Sequence, residues 1–190
     1  YSFSGNSPFQ RLFKGFTPTA TRFKRIFRIG IPVSVQNALF AIFAMFIARI
    51  AAGWGPVGVA VQSVGSQIEA VSWMTASGFA TALSGFVGQN FGARNFKRIR
   101  LGYYRTLGML IPVGLIASFL FIVFGEPIFA FFIPEPQAII EGGLYLRILG
   151  FSQLFMVVEI ATAGAFNGMG KTLPPAIVGI VLNGLRIPMA

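Results

Sequence analysis

Residues 103–124 read YYRTLGMLIPVGLIASFLFIVF and carry no charge beyond Arg105. A helix needs about 20 predominantly apolar residues to cross the hydrocarbon core of a bilayer. The segment therefore predicts a transmembrane helix, which we expect Pro112 to kink. The pattern recurs along the chain and predicts five spans at approximately 29–52, 57–91, 103–124, 140–166 and 175–190, the last of them cut short.

The composition of the whole chain is that of a membrane protein. Hydrophobic residues make up 55% of it and charged residues 11%, with a mean hydropathy of +0.74. A soluble globular domain would carry about 25% charged residues. Glycine and proline are frequent, as membrane helices tolerate. The predicted fold class is thus an all-α integral membrane protein, a polytopic helical bundle.

The net charge of +10 is concentrated beside the predicted spans. Basic patches in that position determine topology and contact anionic lipid headgroups. Since no folded basic domain remains to hold nucleic acid, a nucleic-acid partner is excluded. The two patches are Arg11, Lys14, Arg22, Lys24, Arg25 and Arg28, followed by Arg94, Lys97, Arg98, Arg100 and Arg105.

The loops between the spans predict an orientation. Residues 1–28 form a basic segment without the apolar stretch of a signal peptide, and 29–190 form the membrane lobe. A basic amphipathic connector at 89–105 falls on the same side as residues 1–28, and an acidic, proline-containing loop at 126–141 on the other. The positive-inside rule then makes the N-terminal segment cytoplasmic, in a multi-pass protein of the plasma or inner membrane.

Cysteine and histidine are both absent from the chain. Their absence excludes disulfides, zinc sites of the usual type, thiol catalysis and histidine acid–base chemistry, so we expect no enzyme activity and no bound cofactor. Residues 165–172 resemble a loose P-loop. However, a phosphate-binding loop needs a preceding strand and the N–H donors that Pro174 and Pro175 lack.

Two carboxylates, Glu69 and Glu159, interrupt otherwise apolar helices. A carboxylate near the middle of a bilayer is costly and usually faces a cavity, a partner or an ion path. The alternative is a protonated side chain that hydrogen-bonds a neighbouring helix. We expect both at a comparable depth near the midplane, which suggests one shared polar site.

Small and polar side chains accompany these glutamates at helical spacing. A polar stripe on a membrane helix faces protein or water and not lipid. Beside Glu159, the polar groups of Gln153, Thr162 and Asn167 could orient the carboxylate or coordinate Na⁺ with it. Ordinary interhelical packing is the alternative at each lining position. The stripe of the second span comprises Gln62, Ser66, Glu69, Ser72, Trp73 and Ser77, and the first span adds Gln36 and Asn37.

Four short motifs carry a family resemblance from about residue 25 to the end of the chain. Residues 87–93 (VGQNFGA), followed by the basic segment, resemble the turn after the second helix of a lobe in the multidrug and toxic compound extrusion (MATE) family. Residues 164–175 resemble the turn before a lobe's fifth helix, and 186–188 (RIP) that fifth helix in the C-terminal lobe. Residues 32–36 (PVSVQ) fit the first helix of a lobe.

The resemblance implies one six-helix lobe of a twelve-helix transporter, with helices seven to eleven present and the N-terminal lobe as the missing partner. N-terminal lobes of the family usually carry an aspartate in their first helix, where this chain has Gln36 and Asn37. Some relatives carry an acidic residue in the first C-lobe helix, and this chain has none there. Glu159 falls where several members place an acidic residue on the tenth helix, and Glu69 matches acidic positions on the eighth.

The function implied by the resemblance is secondary active efflux of organic, often cationic, drugs and other xenobiotics in exchange for H⁺ or Na⁺. The predicted cation- and substrate-binding residues are Glu159, Glu69, Gln36, Asn37, Gln62, Ser66, Trp73 and Thr162, with Trp73 offering an aromatic face to a cation. One alternative is a lipid-linked oligosaccharide flippase of related architecture, whose cationic cavity the buried glutamates disfavour. Another is a non-transporting membrane assembly module.

Overall fold

The computed structural model describes residues 20–189, which form five α-helices and, within that range, no strand. Arg11 and Lys14 of the basic segment lie outside the described residues, as do the side chains of Arg22, Arg25 and Arg186. The predicted all-α bundle is confirmed. Its helices are α1 (Ala20–Ala52), α2 (Gly55–Gly92), α3 (Phe96–Phe132), α4 (Pro136–Gly168) and α5 (Leu173–Met189).

Three of the described helical segments are long and apolar enough to cross a membrane: Ile26–Ala52, Phe96–Phe132 and Pro136–Gly168. The apolar part of α5, Leu173–Leu182, is shorter. With 38 residues α2 has the length but is not among the three, and it is rich in serine, glutamine and glycine. Protein packed around a polar helix of this kind shields it from lipid.

A Schellman motif ends α2. The backbone N–H of Asn95 donates to the carbonyl oxygen of Asn90 at 2.9 Å, and that of Arg94 donates to Phe91 at 3.1 Å. Arg94 takes the left-handed position of the motif with φ of 55°, where glycine is usual. A left-handed conformation costs a residue with a Cβ about 1–2 kcal/mol, so this turn keeps its positive charge at some expense of stability.

The end of α4 repeats the arrangement with glycine in the left-handed position. Gly170 has φ of 72°, its N–H donates to Asn167 at 2.9 Å, and Lys171 N–H donates to Phe166 at 3.0 Å. The order Gly170-Lys171-Thr172 is therefore a helix terminus, and its N–H groups serve the preceding helix.

The predicted connector at 89–105 is wrong in extent, because helices occupy most of it. Only residues 93–95 separate α2 from α3. The side-chain Oδ1 of Asn95 accepts a hydrogen bond from the Arg98 backbone N–H at 3.2 Å and so caps α3. This cap lets α3 begin directly after the turn.

The predicted acidic loop at 126–141 is also wrong, since α3 continues to Phe132 and only 133–135 separate it from α4. The helix breaks inside this stretch at Phe124, with φ of −110° and ψ of 19°, three residues before Pro127. Proline removes one helical N–H and its ring collides with the carbonyl four residues back, which explains a break here. The kink at Pro112 stays a prediction, because a proline can bend a helix whose dihedral angles remain helical, and Phe124 is the residue of α3 with non-helical angles.

Helices α2, α3 and α4 pack into a three-helix bundle. A line of contacts between α2 and α4 consists of small residues, and a Cβ atom added to Gly164 would lie 2.7 Å from the Ala80 carbonyl oxygen. One added to Gly168 would collide with the Ser84 carbonyl oxygen. We call Ala80, Ser84, Gly164 and Gly168 the small-residue seam. The two glycines thus let α4 approach α2 closely.

Helices α1 and α5 pair with each other outside this bundle. Gly179 of α5 packs against Gln36 and Phe40 of α1. Among the described residues, α1 otherwise contacts only α2 and α5 otherwise contacts only α4. The chain turns that make these connections lie at opposite ends of the bundle.

The small-residue seam predicts that two Gly→Ala substitutions will change the melting temperature in opposite directions. Gly→Ala within a helix gains about 0.5–1 kcal/mol from backbone entropy. At Gly85, which has nothing within 4 Å, Gly85→Ala should keep or raise the melting temperature. Gly164→Ala should lower it, because overpacking costs about 1–3 kcal/mol. Thermal unfolding of both variants in detergent compares them, and equal melting temperatures would contradict the seam.

Candidate functional site

The register between α2 and α4 positions the predicted site residues that lie on these two helices. The two helices run in the same direction, because Gly65 lies against Tyr145, Ser72 against Gln153, and Ala80 against Gly164. Contacts of this kind fix which residues share a level across the bundle.

This register separates the two glutamates. Glu69 precedes the level of the Ser72–Gln153 contact by three residues, and Glu159 follows it by six. At 1.5 Å per residue they are offset along the helix axes by roughly 13 Å. The structure does not place them at the comparable depth expected from the sequence, and it does not bring them together in one site.

Helix α2 presents its residues to three sides. Gly65, Ala76 and Ala80 face α4, while Ile68 and Thr75 line a groove against α3. On a third side lie Gln62, Ser66, Glu69, Trp73 and Ser77, and we call these the polar stripe; Ser66 and Trp73 are exposed and the other three are half-buried.

Within the polar stripe, Glu69 is half-buried at the edge next to α4, and it has an interaction partner. Trp73 is 43% exposed on the following turn. Ser66 is exposed, and its hydroxyl donates to the Ser63 carbonyl oxygen at 2.9 Å. Gln62 lines a cavity of about 250 Å³ beside α1 and Tyr145. A carboxylate, an indole ring and neutral polar groups thus follow one another along one partly exposed helix face.

The polar stripe continues into a groove between α2 and α4. This groove has a volume of about 340 Å³ and is lined by Ser77, Thr81 and Ser84 of α2 and by Gly164 and Asn167 of α4. Small side chains leave the space open, and hydroxyl and amide groups provide hydrogen-bonding partners along it.

Glu159 lies away from this groove. It is exposed, and at 100° per residue it is displaced by roughly a quarter-turn of α4 from the groove-lining residues. The neighbouring Thr162 is engaged elsewhere: its hydroxyl donates to the Val158 carbonyl oxygen at 2.7 Å and lies 2.9 Å from the Tyr103 hydroxyl of α3. Any Na⁺ at Glu159 would have to compete with those bonds for the Thr162 oxygen.

Gln36 and Asn37 belong to the α1–α5 pair. Gln36 is half-buried against Gly179 of α5, whereas Asn37 is exposed. Neither residue is on the helix that carries the polar stripe. A single binding site lined by Asn37 and the polar stripe would require Asn37 to face α2.

A buried polar contact joins α2 to α4. Gln153 is fully buried, and its Oε1 lies 2.6 Å from the Ser72 hydroxyl, which also lies 3.0 Å from the Glu69 backbone carbonyl oxygen. The Gln153 Nε2 atom is buried and has no hydrogen-bond partner among the described residues. This contact sits one turn from Glu69 and ties its backbone to the neighbouring helix.

Sequence reasoning missed the role of Tyr103 and underrated Gln153. Both make contacts across helices, and residue spacing within one helix gives no sign of them. A glutamine surrounded by apolar residues is the one available signal, because a buried amide has to find a partner.

Toward the end of the bundle where α3 joins α4, an arginine forms an ion pair with a glutamate. Arg147 Nη2 lies 3.0 Å from Glu126 Oε1, and each side chain is about half exposed. In the described part of the chain, no three carboxylate, histidine or cysteine groups cluster in a way that could hold a metal ion.

The MatE family model matches residues 32–190. The chain belongs to the MatE family. The predicted family resemblance is thus confirmed. Residues 1–31 lie outside the match.

Several MatE relatives have names that refer to drug resistance. "Probable multidrug resistance protein NorM" of Thermotoga maritima is 31% identical over 186 residues, which are 95% of this chain and 39% of that protein. The protein of the same name from Chromobacterium violaceum is 27% identical, over 86% of this chain and 35% of its own. "Probable multidrug resistance protein YpnP" of Bacillus subtilis is 25% identical, over 82% and 35%. The chain spans less than two fifths of these relatives' length.

Solved structures of MATE proteins share the fold. "Crystal structure of MATE in the straight conformation" superposes with a TM-score of 0.81 at 21% identity, over 90% of this chain and 39% of that one. "Crystal structure of MATE in complex with MaD3S" gives a TM-score of 0.62 at 20% identity, over 93% and 48%. At these identities the likeness concerns the fold alone.

The Ser72–Gln153 contact predicts a coupling between the two side chains. Ser72→Ala should lower the free energy of unfolding by about 1–3 kcal/mol, because it leaves the buried amide unpaired. In a Gln153→Leu background the same change should cost much less, since no buried amide remains. Chemical unfolding of the four proteins in detergent gives the coupling energy.

Ser66→Ala is the matched control, because it removes an exposed serine hydroxyl on the same helix. Its effect should stay within about 0.5 kcal/mol. An equal cost of Ser72→Ala in both backgrounds would refute the coupling.

Proposed function

We propose that this chain forms one lobe of a secondary active antiporter, which exports organic and often cationic compounds in exchange for H⁺ or Na⁺. Membership of the MatE family and relatives named for multidrug resistance support the transport class. The observation that carries the proposal is the polar stripe, which places the half-buried Glu69 carboxylate and the exposed Trp73 ring on one face of α2.

The polar stripe has the chemistry for cation recognition. The Glu69 carboxylate supplies negative charge, and Trp73 supplies an aromatic face one turn away. Gln62, Ser66 and Ser77 provide neutral hydrogen-bonding groups that orient different substrates without selecting one. Exposed apolar side chains such as Met74 would accept varied hydrophobic bodies.

Exchange follows from the competition of cations for one carboxylate. A low-dielectric setting favours the neutral form of a carboxyl group, whereas a bound cation favours the charged form. A proton, Na⁺ or an organic cation can therefore displace one another. We assign this coupling role to Glu159, the exposed carboxylate of α4 one turn before Thr162, and a substrate role to Glu69.

The offset of roughly 13 Å between the two glutamates supports separate roles for them. Two carboxylates at one level would repel each other and act as a single coupled site. At two levels, one can titrate while the other holds a cationic substrate.

The flippase alternative is less well supported by the side chains. A pyrophosphate bound at the polar stripe would need cations there, yet the stripe carries the Glu69 carboxylate and neither lysine nor arginine, and Arg147 pairs with Glu126 at 3.0 Å. An assembly module without transport activity would leave the carboxylates without function, so the transport assay below distinguishes it.

Removal of each carboxylate charge tests the proposal. In proteoliposomes of the full-length protein, Glu159→Gln should abolish gradient-driven drug efflux, because the amide keeps the shape but cannot titrate. Glu159→Asp should retain part of it. Glu69→Gln should impair efflux at near-normal expression.

Glu135→Gln provides the matched control, since Glu135 is exposed at the turn before α4 and its side chain makes no cap hydrogen bond. It should transport like the wild type. Wild-type coupling in Glu159→Gln would exclude this carboxylate as the exchanging group, and full activity of Glu69→Gln would leave that residue a structural role.

Cysteine labelling tests the orientation. We propose that the basic turns face the cytoplasm, so cysteines replacing Lys97 and Lys171 should react only from that side. A cysteine replacing Gln137 should react only from outside. All three positions are exposed. If Lys97 and Gln137 positions label from the same side, the orientation is wrong.

A further inference from the structure

A second cavity, with a volume of about 460 Å³, lies between α2 and α3 near the turn that joins them. Its volume falls within the range of about 300–1,000 Å³ that is usual for small-molecule sites. We call it the α2–α3 cavity. It does not include any residue of the polar stripe.

Two arginines line the α2–α3 cavity. Arg98 and Arg105 are seven residues apart on α3, so they project from the same helix face two turns apart. No acidic residue occurs between positions 70 and 125 of the sequence. Glu159 is on the far side of α3, because Tyr103, which contacts α4, lies opposite the two arginines around the helix. The cavity therefore has a double positive charge without a carboxylate to balance it.

A cation–π contact orients the exposed Arg98 side chain over Phe86. Its guanidinium carbon lies 5.7 Å from the centre of the Phe86 ring, within the range of a cation–π contact. The ring can occupy this place because residue 102 is glycine, and a Cβ there would collide with it. A preorganised cation loses less entropy on binding an anion.

The remainder of the cavity wall is apolar and opens to the outside of the bundle. Phe79, Leu101 and Met109 line it, and Leu101 and Met109 are 50% and 60% exposed. In a membrane-spanning bundle, exposed apolar side chains at this position meet lipid chains. Arg98 near the helix end can reach the headgroup layer directly, and Arg105 can extend toward it.

We propose that the α2–α3 cavity binds one anionic phospholipid. The phosphate lies between Arg98 and Arg105, and one acyl chain packs against Phe79 and Met109. A lipid fits better than a free phosphate, because only a lipid uses the apolar wall. The site is independent of the transport proposal.

Native mass spectrometry of the full-length protein tests the site. Three probes are added separately: dioleoyl phosphatidylglycerol, dioleoyl phosphatidylcholine with the same chains, and inorganic phosphate. The wild type should hold one phosphatidylglycerol more tightly than phosphatidylcholine and should not retain phosphate. The double variant Arg98→Gln/Arg105→Gln should weaken that binding by about tenfold or more, as expected for two lost contacts.

The matched control is Lys97→Gln/Arg100→Gln, which removes the same charge from the same helix but from residues that do not line the cavity. It should change phosphatidylglycerol binding less than about twofold if the cavity, and not overall charge, holds the lipid. Equal losses in the two double variants would overturn the proposal, as would equal binding of the two lipids or retention of phosphate alone.

A steric variant keeps the test decisive if the arginine variant does not fold. Ala82 lines the cavity and is exposed, so Ala82→Phe should fill the cavity without changing charge and should lower phosphatidylglycerol occupancy. Ala130→Phe, at an exposed position of α3 away from the cavity, should not. Wild-type occupancy in Ala82→Phe would overturn the proposal.

Discussion

The close approach of the α2 and α4 backbones at the small-residue seam is the constraint on which the remaining structure depends. Within a membrane no hydrophobic driving force holds helices together, so close packing and hydrogen bonds have to do so. Gly164 and Gly168 let α4 approach the Ala80 and Ser84 carbonyl oxygens. The resulting register brings Gln153 to Ser72 and determines the level of both glutamates.

The helical fold could be predicted because lipid leaves the backbone few alternatives. A segment without charges and long enough to span a bilayer forms a helix, since its own backbone groups must satisfy one another. Helix ends were harder to predict. Pro127 and Glu126 suggest a loop by composition, yet α3 absorbs the proline as a break at Phe124 and continues. Asn95 likewise caps α3 where its basic neighbours suggested a longer connector.

The candidate site was predictable residue by residue but not as an arrangement. Spacing within α2 placed Gln62, Ser66, Glu69 and Trp73 on one face, and the structure leaves that face partly exposed. The relative depth of Glu69 and Glu159 depends on how two helices slide past each other, and the spacing within each helix does not contain that information. The Tyr103–Thr162 contact is of the same kind, because its partners are 59 residues apart.

The α1–α5 pair has a mechanical consequence. It is attached to the bundle beside Gly53 and Trp54 at one end and beside Gly170 and Thr172 at the other. A rigid body held at two points retains one rotation, about the line that joins them. Here that line runs diagonally across the thickness of the bundle. Rotation about it would move the Ala20 end of α1 and the Met189 end of α5 in opposite directions, because they lie on opposite sides of that line. The gap between the α1–α5 pair and α2 would then widen at one end of the bundle and narrow at the other.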